Sequence, residues 1–317
     1  MNILFLTDNK LHPSDYQKNP FIWSLGKRLK EKGHNISILA PKGSVCPFAK
    51  VHIYNNQNDI NQQIPERTDL LHSLISLPVP PQIPWLETVQ TNGLKEQKYH
   101  LNTVFLSANH AKRHQSTTYV HPSLHPGNYP KVKWHTDRTH LLFIGQAYNK
   151  KQNVADCKLL ANVAEQTLAI VGSYGYSFSK YINYKGVPTG DAKAKLLNKG
   201  KALLMPSRWH IPFDMSIIES MYYGCPVFGS PYGCLPEIIR PEVGTLSTSR
   251  SDLLEAIDNI KRFDRKRVHE YVLEMFSAEK MATEYLELYE KVLQGQYLNK
   301  HTPISKRPQK SLLPFYD

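Results

Sequence analysis

Pro206-Ser207-Arg208-Trp209-His210-Ile211-Pro212-Phe213-Asp214-Met215-Ser216-Ile217-Ile218-Glu219-Ser220-Met221-Tyr222-Tyr223-Gly224-Cys225-Pro226-Val227 is the stretch on which the reading of this chain turns. The apolar run before it predicts a strand over 202–205. A loop rich in proline and aromatic residues follows, and 215–223 has the pattern of a helix stopped by Gly224 and Pro226, after which 226–229 reads as a strand. A helix that opens directly after a strand and loop offers its first amides to a phosphate or a sugar hydroxyl. Glu219 stands one turn into that helix. Its carboxylate can accept from two vicinal hydroxyls, as a ribose requires, or it can be an ordinary ion-paired helical glutamate.

The same alternation extends outward. Strands over 140–144 and 167–171 and helices over 154–165 and 192–198 precede the quoted stretch. At the N-terminus a strand over 3–6 leads to a helix over 21–32, with Phe21, Ile22, Leu25 and Leu29 on one face and Gly33 just past its end; a strand over 35–40 follows. That is a βαβ unit of a parallel, doubly wound sheet. Short apolar runs at 70–77 and 85–89 and a strand over 103–107 extend it. Between 121 and 139, Pro122, Pro126, Gly127 and Pro130 occur with few apolar residues, as in a connection between domains. The fold class is therefore α/β: two doubly wound Rossmann-like domains, over 1–130 and 139–277, facing a cleft where the carboxyl ends of their strands converge. Helices over 252–262, 265–275 and 278–293 close the chain, the last with an apolar stripe of Met281, Tyr285, Leu288 and Val292. Residues 297–317, with Lys300, Lys306, Arg307 and Lys310 among three prolines, read as a basic mobile tail or as an arm for an anionic surface.

Length and composition agree. A chain of 317 residues exceeds the usual size of one core. Hydrophobic residues at 41% and charged residues at 21% exclude a largely disordered chain. The apolar run at the N-terminus is shorter than a secretory signal, and no stretch approaches the roughly 18 apolar residues that cross a bilayer. Cys46, Cys157, Cys225 and Cys234 are too scattered for a disulfide scaffold or structural zinc, which points to the reducing cytoplasm. The net charge of +12 suits an anionic partner, whether acidic lipid or phosphorylated small molecule, or simply a basic surface. Without interleaved aromatics or a recognised motif, nucleic acid is not an expected partner. His110 and His114 stand one helical turn apart, but Lys112 and Arg113 lie between them with no acidic ligand near, so no metal site is expected.

The motifs, in their order, resemble the retaining group 1 glycosyltransferases of GT-B architecture (family 4-like) over nearly the whole chain. In that family a loop S-x-x-x-E-P-F-G leads into a helix with a second glutamate, then A-x-G-x-P-V-V and G-x-x-P-E. Here Pro212-Phe213, Glu219, Gly224-Cys225-Pro226-Val227 and Gly233-Cys234-Leu235-Pro236-Glu237 stand in matching register. The helix after Phe276-Ser277, with Tyr285, Leu288 and Tyr289, resembles the family's terminal helix, which implies that 278–296 packs back across both lobes.

Several positions depart from the pattern. Ile211 replaces the glutamate that contacts the transferred sugar, and Asp214 replaces a glycine, either returning a carboxylate to the sugar pocket or capping the helix. In the family's G-R-x-x-x-x-K-G segment, whose Arg and Lys clamp the diphosphate, Gly145 and Lys151 match but Gln146 replaces the arginine, leaving Lys150 or Arg208 to substitute. The loop over 12–20 lacks the usual glycines. Gln90 stands where a histidine is expected beside the acceptor, and it cannot take a proton at neutral pH. Gly172 matches a glycine near the donor, and Gly186-Val187 a segment whose backbone reads the base.

The resemblance implies transfer of a sugar, with retained anomeric configuration, from a nucleoside-diphosphate donor to a glycan or lipid-linked hydroxyl. It implies no metal and no cofactor beyond the nucleotide sugar. Lys151 and Glu219 are the expected catalytic residues. Gly145, Gln146, Gly172, Gly186, Val187, Arg208, Ile211, Phe213, Asp214, Met215 and Ser216 are expected on the donor, and Gln90 on the acceptor side. The expected location is cytoplasmic, with peripheral contact at the inner face of an anionic membrane. The departures leave one alternative, a catalytically impaired GT-B protein that acts as a nucleotide-binding partner or regulator.

Overall fold

Ile3, Leu4, Phe5 and Leu6 have no exposed surface, so the first strand is covered on both faces, as strands of a parallel sheet are. The computed structural model describes residues 1–13, 19–306 and 309–317. It divides into two units, Met1–Asn128 with Phe276–Pro308, and Tyr129–Met275 with Gln309–Asp317.

In the first unit, β1 (Asn2–Leu6) leads through a π-helical segment, Ile22–Gly26, into α1 (Lys27–Glu31), and then to β2 (Asn35–Ala40) and β3 (Lys50–Ile53). β4 (Leu70–Ser73), β5 (Trp85–Thr88), β6 (Thr103–Val104) and α2 (Ala108–Arg113) follow. The six strands are all parallel in the order β3-β2-β1-β4-β5-β6.

The second unit runs β7 (His140–Ile144), α3 (Val154–Val163), β8 (Leu168–Val171), β9 (Ile182–Tyr184), α4 (Gly190–Asn198) and β10 (Gly200–Met205). It continues with α5 (Met215–Tyr222), β11 (Val227–Gly229), α6 (Leu235–Ile238), β12 (Gly244–Leu246), α7 (Arg250–Asp258) and α8 (Arg265–Met275). Its sheet, β12-β11-β10-β7-β8-β9, repeats the first order strand for strand. In each sheet the order reverses once, between β1 and β4 and between β7 and β10, and ligands of open α/β sheets bind at the carboxyl ends beside such a reversal.

Three expectations are corrected. β3, β9 and β12 are additional edge strands, and the strand read over 103–107 contracts to two residues. The stripe of α9 (Ala278–Leu293), a helix of the first unit, buries Tyr289 and leaves Leu288 half-buried, because the helix also presents Ala278 and Ala282 to the core. In the segment read as a tail, the described residues on either side of 307–308 make hydrogen bonds within their own units. Asn299 donates to Leu101 O at 2.9 Å and Thr103 O at 2.8 Å, and Ile304 bridges Lys98. Tyr316 bridges Ser249, and Phe315 enters the core beside Phe143 and Phe228. Arg307 lies outside the described residues, as do 14–18 of the loop read without glycines. Among the described residues no helix is long and apolar enough to cross a membrane.

Candidate active site

β7 ends at Ile144 and β10 at Met205, on either side of the reversal in the second sheet, and the loops beyond them carry most of the expected donor residues. Gly145, Gly172 and Gly186 come together there. Gly172 N donates to Gly186 O at 2.7 Å, and with φ +97° a Cβ at Gly172 would lie 2.8 Å from Gly145 O. Only glycine fits that approach. Ser173 ties the turn, donating to Gly145 O at 3.0 Å and accepting from Ala147 N at 2.7 Å. Gln152 accepts from Gln146 N at 2.7 Å. Tyr174 lies close over Gly186, while Val187 beyond it is exposed.

Lys151 sits on a short 3-10 turn capped by Asn149, whose Oδ1 accepts from Lys151 N at 3.1 Å. The main chain crosses the reversal at this point. Lys151 O accepts from Arg208 N at 2.9 Å and from Ser207 Oγ at 3.1 Å, and Asn153 Nδ2 reaches Pro206 O at 3.0 Å. Lys151 Nζ lies 3.9 Å from the centroid of the Trp209 ring, a cation–π contact that holds the ammonium beside the loop. Arg208 points elsewhere: its Nε donates to Leu313 O at 2.7 Å. That bond restricts its expected service as a stand-in for the missing arginine.

Asp214 is the N-cap of α5, accepting from Ser216 N at 2.9 Å, so the Ser216 amide expected to face the donor is already taken. Burial pushes the Asp214 carboxyl up, while the bonds from Ser216 oppose the rise. Met215 and Ser216 open the helix, and the buried Ser216 Oγ lies beside the Asp214 carboxyl. Ile211 is held through its main chain, its oxygen accepting from Cys234 N at 3.1 Å, with Gly233 packed against it. Phe213, between these two positions, is half-buried.

Glu219 is 2% exposed and ion-paired. Lys193 Nζ of α4 lies 2.5 Å from its Oε2, and Tyr129 donates to Oε1 at 3.2 Å. Sequence reading missed Lys193, Tyr129, Trp209 and Ser173. Their one shared signal is hydrogen-bonding or cationic chemistry in the loops and helices that flank the strand ends, which many other residues also show.

In the first unit a cavity of about 380 Å³ opens at the carboxyl edge of β1, β4 and β5. Gln90 lines it beside Asp8, Glu87, Thr88 and Tyr99. Glu87 is buried and accepts from Thr103 Oγ1 at 2.6 Å; burial pushes its carboxyl up. Burial, with the Glu87 charge adding to it, takes the Tyr99 hydroxyl up to about 12. The His110 and His114 rings face main-chain partners, Thr91 O at 3.1 Å and His110 O at 2.8 Å. Among the described residues no three His, Cys, Asp or Glu side chains gather as metal ligands.

Residues 137–263 match the family model of glycosyl transferases, group 1. Solved structures resemble the chain over nearly its whole length. AviGT4, a glycosyltransferase involved in avilamycin A biosynthesis, is 16% identical with a TM-score of 0.74, covering 96% of this chain and 99% of that one. The catalytic domain of starch synthase IV from Arabidopsis thaliana, bound to ADP and acarbose, is 12% identical with a TM-score of 0.70 over 93% and 99%. HepE of Anabaena, in complex with UDP and glucose, is 12% identical with a TM-score of 0.64 over 92% and 99%. At these identities the likeness shows the fold. No curated protein sequence matches the chain. The fold is GT-B, and the match to group 1 glycosyl transferases lies within the second unit.

Proposed function

We propose that the enzyme transfers a sugar from a nucleoside diphosphate to a glycan or lipid-linked hydroxyl, with retention of anomeric configuration and without a metal. The observation that carries this reading is the glycine-stripped main chain of Gly145, Gly172 and Gly186 at the reversal of the second sheet, with Lys151 beside it. Bare backbone lets a diphosphate approach closely, and a nearby ammonium offsets the charge that develops on the leaving nucleotide. Glu219 takes the ribose through the lone pairs left by Lys193 and Tyr129, and the first turn of α5 at Met215 and Ser216 serves the phosphates or the sugar. Solved structures of the same fold hold UDP, UDP-glucose or ADP, which supports a nucleotide sugar as donor. Gln90 and the polar cavity around it receive the acceptor. Four buried free cysteines suit a reducing cytoplasm, and Lys300, Lys306 and Lys310 supply charge for a peripheral contact with an anionic membrane.

A panel of UDP-, ADP-, GDP- and dTDP-sugars, assayed for nucleotide release with chelator present, tests the reading. Turnover of at least one donor is expected, with the product anomer read by NMR. If no nucleoside diphosphate binds in calorimetry, the reading fails. A second reading, a nucleotide-binding regulator, rests on Ile211 and Gln146 in place of charged residues, and binding without turnover across the panel would establish it.

A further inference from the structure

A cavity of about 560 Å³ opens at the other edge of the second sheet, lined by Leu141 near the start of β7, Lys201 near the start of β10 and Pro226 just before β11. The donor residues lie past the opposite ends of these strands. Five residues of β7 separate the two edges, about 15 Å of extended chain. The charged lining is four cations, Arg138, Lys201, Lys261 and Arg265, against one carboxylate, Asp258.

The cations have few partners, and the partners are neutral. Arg138 donates to Gly200 O and Tyr223 O, Arg265 Nη1 to Trp134 O at 3.2 Å, and Lys201 to Gln166 Oε1. These bonds fix the guanidinium planes but, among the described residues, leave Arg138 Nε and Arg265 Nε and Nη2 buried without a partner. Arg265 is pushed down by burial and then by the Arg138 charge beside it. Buried donors of like charge are costly unless an anion answers them.

We propose that this cavity is a second anion site, separate from the donor region, that binds a phosphorylated small molecule. Arg265 offers the adjacent Nε and Nη2 to paired oxygens of a phosphate, Arg138 adds its Nε, and two lysines add point charges for a diphosphate or a second phosphoryl group. The volume is in the range of small-molecule sites, roughly 300–1,000 Å³, so it holds more than a bare ion. The site goes beyond the sugar-transfer reading and does not depend on it.

Calorimetric titration of the full chain with inorganic pyrophosphate tests the site. A Lys201→Glu/Lys261→Glu double variant changes one half-buried and one exposed side chain and should weaken pyrophosphate at least tenfold; Arg265→Gln should act in the same direction. With saturating UDP holding the donor region, which also fits a diphosphate, Lys151→Ala should leave this pyrophosphate binding unchanged, and UDP affinity should survive in the double-lysine variant. Unchanged pyrophosphate affinity in the double variant, loss confined to Lys151→Ala, or no binding at millimolar concentration would each overturn the proposal.

Discussion

Lys193 Nζ and Glu219 Oε2 stand 2.5 Å apart in a setting where the Glu219 side chain is 3% exposed, and Tyr129 closes the other oxygen at 3.2 Å. The pair ties α4 to α5. Burying two charges gains little net stability, but removing one partner strands the other in a poor solvent. Lys193→Met should therefore cost about 3 kcal/mol in urea unfolding. Adding Glu219→Gln to it should recover part of that loss, because the lone charge is gone; additive losses would show that the two do not act as a pair.

The same carboxylate has a separate signature if it reads the ribose. Glu219→Gln keeps the shape and one acceptor oxygen but loses the charge, so UDP should bind about 1–3 kcal/mol more weakly. 2′-Deoxy-UDP, which lacks one of the two hydroxyls, should lose much less on the same substitution. Equal losses for the two nucleotides would place the ribose elsewhere.

Lys151 divides into charge and placement. Lys151→Ala removes the ammonium where charge develops and should lower kcat about 100-fold or more. Trp209→Leu removes only the ring that holds the ammonium, at 3.9 Å, and should cost kcat about 5- to 10-fold, in proportion to a cation–π contact of about 1 kcal/mol. Donor hydrolysis by each variant measures both; a larger loss at Trp209 would make the ring a substrate contact.

The strands that build both sheets were legible because buried parallel strands are unbroken apolar runs, as Ile3 to Leu6 and Leu141 to Ile144 show. Gly172 stood out only through the family resemblance; the physical reason for glycine there, φ +97° against Gly145 O, is visible only in the fold. The edges were not: β3 reads Lys-Val-His-Ile, half-exposed and only four residues long, with no periodic signal. Neither were the partners of Glu219, which come from 26 and 90 residues away in sequence. Asp214 was open between two roles, and the side-chain bond to Ser216 N places it as the cap. The contacts of 297–317 were not legible because they rest on amide side chains such as Asn299 and Gln309, residue types that read as solvated.

Acid should weaken the first unit through His72. The ring is fully buried, its nitrogens 2.7 Å from Tyr289 OH and 2.8 Å from Thr88 Oγ1, and burial takes it down to about 3. His110, with Thr91 O at 3.1 Å, is also taken to about 3. Unfolded histidine titrates near 6.5. Between pH 6.5 and about 3 the unfolded chain thus binds protons that the folded chain refuses, so stability is full above 6.5 and falls with pH. The slope is at most about 1.4 kcal/mol per pH unit for each ring. A Tm series from pH 7.5 to 4.5 should bend downward below 6.5, and His72→Gln should flatten it by up to half. A flat profile to pH 5 would contradict the burial of both rings as neutral groups.

Residues 309–317 bear on the donor loop directly. Gln309 Nε2 donates to Arg208 O at 3.1 Å, Leu313 N donates to the same oxygen at 2.9 Å, and Leu313 O receives Arg208 Nε at 2.7 Å. Gln309 Oε1 also accepts from His210 N at 2.9 Å. Arg208 N in turn holds Lys151 O, so the segment braces the loop that carries the lysine. Removing 309–317 frees Arg208 and withdraws Phe315 from the core, at a cost of about 2–4 kcal/mol. Arg208→Gln in the intact chain tests the brace without emptying the core. If Arg208 is structural, that variant raises KM for the donor and leaves kcat within about threefold. If the arginine contacts the diphosphate in the transition state, kcat falls instead, and the truncated chain, with its guanidinium released, turns over faster per folded molecule than Arg208→Gln.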